Sequence, residues 1–107
     1  MQVLVRHDDH ISGNGLEQRV TAMVEASLDR YRDQITRVEV HLADENGPKS
    51  GNDDFRCTLE VHVGGRPPLA VTQKGTSAEV VIGDAADKML RMLDDDLGKL
   101  RDPRAAG

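Results

Sequence analysis

Tryptophan is absent, and Tyr31 and Phe55 are the only aromatic side chains. The core must therefore be aliphatic, and almost nothing is left from which to build the stacking platforms that hold single-stranded bases. Cysteine is equally scarce. Cys57 stands alone, which excludes an intrachain disulfide, and its place in an alternating apolar run reads as a buried free thiol. Long apolar runs are missing as well: MQVLVRHDDH is too short in apolar residues for a secretory leader, and no stretch approaches the ~20 residues of a membrane span. These absences suggest a reducing cytoplasm and no membrane partner. Positive charge is in deficit, with 14 Lys and Arg against 19 Asp and Glu and a net charge of -5. That balance argues against strong non-specific attraction to nucleic acid, and no DNA partner is expected.

Catalytic signatures are missing too. There is no Gly-rich phosphate loop, no nucleophile elbow and no zinc spacing, so neither an enzyme nor a cofactor is expected. The segment His7-Asp8-Asp9-His10 offers imidazole and carboxylate donors within four residues, but its spacing matches no strong metal signature and reads as a solvated loop. His41 and His62 project from the polar faces of their strands, where a shared site has no support in the spacing.

What is present is periodicity. Residues 76–101 carry Ile82, Ala85, Ala86, Met89, Leu93, Leu97 and Leu100 at three- and four-residue spacing, one buried stripe of an amphipathic helix. Thr76 or Ser77 is placed to cap its start, Glu79 suits its first turn, and ~25 residues would give a helix of roughly 37 Å. An earlier stripe, Leu16, Val20, Met23, Val24, Ser27, Leu28 and Tyr31, predicts a first helix. Between them the period changes to two. Val38, Val40 and Leu42 alternate with Arg37, Glu39 and His41, and Phe55, Cys57, Leu59, Val61 and Val63 alternate with Arg56, Thr58, Glu60 and His62.

Residues 2–6 supply a short strand whose two faces the pattern does not separate. Residues 12–15 form a turn, 45–53 form a loop expected to be mobile and dispensable, and Gly64-Gly65-Arg66 with Pro67-Pro68 precedes a last strand over 69–73. The order strand, helix, strand, strand, strand, helix predicts an α+β fold, a four-stranded sheet with two helices packed on one face. Residues 1–101 should be one domain and 102–107 a polar tail.

This order, with Met1-Gln2-Val3, Ile11-Ser12 leading into the first helix, residues 35–40, 57–62, 70–73 and 84–93 with Asp87-Lys88-Met89, resembles the ribosome hibernation-promoting factors. They are also called ribosome-associated inhibitors or sigma-54 modulation proteins. The resemblance implies a double-stranded-RNA-binding type of fold that docks in the mRNA and tRNA channel of the small ribosomal subunit and stops translation by occlusion, without chemistry. It also implies a short form, monomeric rather than an obligate oligomer. The family usually binds rRNA through lysines and arginines along both helices. Here Met23 and Ala26 stand where lysine is expected, Asp94-Asp95-Asp96 replaces a basic end, Val80 takes an aromatic position, and residues 45–53 look inserted.

The candidate RNA-contacting cations are Arg19, Arg30, Lys88, Arg91 and Lys99. Three of them follow an acid by four residues, in the pairs Asp84–Lys88, Asp87–Arg91 and Asp95–Lys99, and so have an ordinary helix-stabilising role. Arg19 and Arg30 have no acid four residues away, which makes them the stronger phosphate candidates. Arg6, Arg37 and Arg56 read as ordinary outward strand positions. The alternative function is an acidic regulatory or protein-interaction module on the same fold that has lost strong rRNA binding. The acidic 44–54 segment and the Asp94–Asp96 triplet are its marks.

Overall fold

Aliphatic side chains at every second position build the sheet. The computed structural model describes residues 1–8, 15–45 and 54–98. In β2 (Ile35–Asp44) Val38, Val40 and Leu42 are buried, and in β3 (Phe55–Val63) Cys57, Leu59, Val61 and Val63 are buried. These strands pair antiparallel, with Val40 opposite Leu59. β4 (Leu69–Gly75) adds antiparallel to β3 and runs two residues further than expected, while β1 (Gln2–His7) adds parallel to β2. The sheet order is β1-β2-β3-β4. Gly65, at φ 74, supplies the left-handed residue that the β3–β4 turn needs.

Pairing resolves the two faces of β1. Val3 lies opposite Val38 and Val5 opposite Val40, so both valines pack against the core, and Leu4 and Arg6 fall on the far side. A bulge between Ile35 and Arg37 lets Ile35 and Val38 both point inward while Thr36 and Arg37 are both exposed.

Helix α1 (Leu16–Ser27) buries Leu16, Val20 and Val24. The first helix expected over 16–31 ends earlier: Leu28 leaves the helical region at φ -103, ψ 12, and a single 3-10 turn, Asp29–Tyr31, swings Tyr31 into the core. Helix α2 (Ala78–Leu93) buries Val81, Ile82, Ala85, Ala86, Met89 and Leu93, the stripe seen in the sequence. Of the two candidate caps it uses Ser77, whose Oγ accepts the Val80 N–H at 3.4 Å.

The long uniform helix expected over 76–101 is corrected. Its α-helical part is 16 residues, and a wider π turn, Asp94–Gly98, follows. Aspartate is a poor helix former and three in succession repel one another, so the stretch relaxes where Asp94 and Asp96 find arginines on other elements, while Leu97 stays buried.

The helices lie side by side on one face of the sheet and run in the same direction. Arg19 meets Glu79 near their starts, the Met23 methyl lies over Gly83 in the middle, and Arg30 meets Asp94 at their ends. Met23, where the resembled family has lysine, fills this seam. Gly75 allows β4 to end against α2, since a Cβ there would lie 2.8 Å from Val81 Cγ2. Among the described residues the core is aliphatic apart from Tyr31, Cys57 and Met89 and holds no buried charge, and no helix is long and apolar enough to cross a membrane. The expected turn at 12–15 except Gly15, the loop at 46–53, Asp9, His10, Lys99, Leu100 and the tail lie outside the described residues.

Candidate nucleic-acid interface

RNA is bound through cations that face solvent and are not already neutralised, so the partners of the arginines and lysines decide which of them can serve. The two arginines expected to be unpaired are both paired. The absence of an acid four residues away misled, because the partners come from the neighbouring helix. Arg19 Nε stands 3.5 Å from Glu79 Oε1, and Arg30 Nη1 donates to Asp94 Oδ1 at 2.8 Å.

The second contact is part of a small network, since the buried Tyr31 hydroxyl also donates to Asp94 Oδ1. The hydrogen bond from Tyr31, with those of Arg30 and its charge, holds the Asp94 carboxyl below the usual range despite some desolvation. The hydrogen bond and charge of Asp94 hold the Arg30 guanidinium above its own ordinary value. Tyr31 is raised, first by burial and then by the Asp94 carboxylate. Both ion pairs are solvent-exposed and contribute little stability. Their electrostatic effect is nevertheless local neutralisation: a phosphate approaching Arg30 meets a dipole rather than a free charge.

The opposite correction applies to Lys88 and Arg91. Both are exposed on α2, and neither reaches Asp84 or Asp87 within 4.0 Å or makes any other ion pair among the described residues. Holding two long side chains together on an exposed helix costs about as much entropy as the pair returns, so the i,i+4 spacing did not become a contact. Lys99, the fifth candidate, and its pairing with Asp95 lie outside the described residues. The acidic triplet is likewise not one feature: Asp94 binds Arg30 and Tyr31, Asp96 binds Arg66 Nη1 at 3.0 Å, and Asp95 is left exposed.

Arg32 is held by Glu25 and Asp29, and the far face of the sheet, away from the helices, carries a second set of cations. Arg6 is exposed without an ion pair among the described residues, and Arg56 and Lys74 share one carboxylate, Glu45, at 3.4 and 3.7 Å. Arg6, Arg37 and Arg56 are outward strand positions, as expected. His41 joins no shared histidine site; His62 instead meets Glu39 at 3.2 Å and Glu60 at 2.6 Å across the β2–β3 ladder. Sequence reasoning missed this cluster, although Glu39, Glu60 and His62 sit on the polar phase of adjacent strands, which was its visible trace. From the His7–His10 segment, His7 faces Glu17 at 3.6 Å and Asp8 accepts the Asp44 N–H at 3.0 Å, both structural uses.

The family model described as sigma 54 modulation protein / S30EA ribosomal protein matches residues 10–101. No curated protein sequence matches the chain. Among solved structures, the N-terminal domain of protein Y from Thermus thermophilus is similar at a TM-score of 0.70 and 18% identity, over 89% of this chain and 98% of that one. A ribosomal subunit interface protein from Coxiella burnetii is similar at a TM-score of 0.70 and 13% identity, over 92% of this chain and 100% of that one.

Proposed function

Because the chain belongs to the sigma 54 modulation protein / S30EA ribosomal protein family, we propose that it is a ribosome-associated hibernation factor that binds rRNA of the small subunit and occludes the mRNA and tRNA channel. The family is not enzymatic, and action by occlusion needs only shape and a few phosphate contacts. A cytoplasmic place follows from a ribosomal partner. The family match over residues 10–101 carries this reading, and the fold shared with the two solved structures is consistent with it.

Within it, Lys88 and Arg91 are the first phosphate contacts, because they face solvent on α2 with no acid holding them among the described residues. Arg19 and Arg30 contribute less, since a phosphate must compete with Glu79 and Asp94 for them. Lys99, the remaining sequence candidate, lies outside the described residues.

One observation favours a second reading. Residues 78–98 carry six acidic and two basic side chains, a balance that suits an acidic regulatory or protein-interaction module better than an rRNA clamp. Sedimentation separates the two. The chain should pellet with isolated small subunits, and bound mRNA and tRNA should displace it; pelleting that those ligands leave unchanged would remove occlusion, and no pelleting even at low salt would leave the regulatory module.

A further inference from the structure

On the far face of the sheet three metal-ligating side chains converge. Glu39 and Glu60 are directly opposed in the β2–β3 ladder, and His62 lies two residues beyond Glu60 on the same face. Like charges directly opposed across a ladder are unfavourable, so something positive must hold these two together. Their nearest common neighbour is His62 Nε2, which stands 2.6 Å from Glu60 Oε1 and 3.2 Å from Glu39 Oε2. A third group competes for the same nitrogen: Arg37 Nη2 lies 3.4 Å from it and 3.6 Å from Glu39 Oε2. One ring nitrogen cannot donate to two carboxylates and accept from a guanidinium at once. A cation between the three side chains would be shared by both carboxylates and the imidazole lone pair.

We propose that Glu39, Glu60 and His62 form a binding site for a divalent cation of the zinc class. One oxygen of each glutamate and one ring nitrogen lie within 4.8 Å of one another. Tetrahedral coordination with bonds of about 2.0–2.2 Å separates ligand atoms by about 3.3 Å, so the close His62–Glu60 pair has to open and any wider pair has to close, rotamer adjustments of about an ångström. All three side chains are only partly exposed and come from paired strands, which fixes their spacing better than a loop would. A cleft of about 160 Å³, lined by Arg6, Glu39, Val40, His41, Thr58 and Glu60, adjoins the two carboxylates and leaves room for the water that completes the shell. Arg37 is the resident competitor: metal binding displaces its guanidinium from the His62 nitrogen. The site lies on the opposite face of the sheet from Lys88 and Arg91 and does not depend on the ribosomal reading.

The test is titration of the full chain with Zn2+ at neutral pH, followed by calorimetry and by the ring signals of the four histidines. One equivalent should bind, moving the His62 signals and leaving those of His41 in place. His62→Gln and Glu60→Gln should each weaken binding by at least about tenfold, the least that losing even an outer partner of a metal ligand costs. Arg37→Ala should strengthen it. The substituted side chains are all at the surface, so circular dichroism should report unchanged folding, and Glu39→Gln serves in place of any variant that fails this check. His62 signals that do not respond to excess Zn2+, or binding that survives His62→Gln and moves the signals of His7 and His10 instead, would overturn the proposal.

Discussion

Asp94 shows at the scale of one residue how a side chain that looks like an obstacle to RNA serves the fold. Its carboxylate is the shared acceptor of Tyr31 and Arg30, and its depressed pKa fixes the sign of the pH dependence. A lowered carboxyl contributes stability above its unfolded pKa and loses it as pH falls through the folded value. The melting temperature of wild type should therefore exceed that of Asp94→Asn at pH 7, and the gap should shrink as the pH is lowered from about 4. A gap that persists at pH 2 would mean that charge on Asp94 is not what matters. Cys57 gives a second residue-scale test. Burial pushes its thiol up to about 11, so at pH 8 only on the order of a thousandth is thiolate. Alkylation should be at least about a hundredfold slower in the native protein than in denaturant, and comparable rates would show that β3 opens readily. Its burial was legible beforehand because a period of two leaves little choice of face. The role of Asp94 was not, since its partners lie 63 and 64 residues earlier in the chain.

At the scale of elements the apolar stripes carried most of the information. Every described member of the α2 stripe is buried, and Leu93 sits in its middle without solvent exposure. Leu93→Ala should cost about 2–5 kcal/mol in chemical denaturation; a change below about 0.5 kcal/mol would place the helix face wrongly. Element ends were less legible, for physical reasons. Leu28 breaks α1 to turn Tyr31 inward, and the π turn after Leu93 answers contacts to Arg30, Tyr31 and Arg66 that no local pattern announces. Asp95, the carboxylate of that turn with no ion pair among the described residues, is the one to change when asking whether acid opposes RNA. Asp95→Asn should strengthen ribosome binding at fixed salt without altering the melting temperature, whereas changing all three aspartates would also cut the ties to Arg30 and Arg66. Unchanged binding by folded Asp95→Asn would show that this helix end does not face RNA.

For the whole molecule, order and spacing of elements sufficed to place the chain in its fold, because a four-stranded sheet covered by two helices is set by apolar periodicity that tolerates change at almost every surface position. The interface is different. It depends on which cations keep their charge, and that is decided by long-range pairing: Arg19 and Arg30 looked available and are held by Glu79 of α2 and Asp94 of the turn after it, while Lys88 and Arg91 looked paired and stand free of ion pairs among the described residues. A chain of net charge -5 can hold rRNA only through a small number of such cations, so its binding should depend on salt with a shallow slope. The most direct measurement is co-sedimentation with small ribosomal subunits over a salt series, comparing wild type with Lys88→Ala/Arg91→Ala and Arg19→Ala/Arg30→Ala. Removing Lys88 and Arg91 should weaken binding and flatten the slope by about 1 for each phosphate no longer neutralised, a larger effect than removing Arg19 and Arg30. A Lys88/Arg91 variant that binds like wild type, or a greater weakening in the Arg19/Arg30 variant, would contradict it.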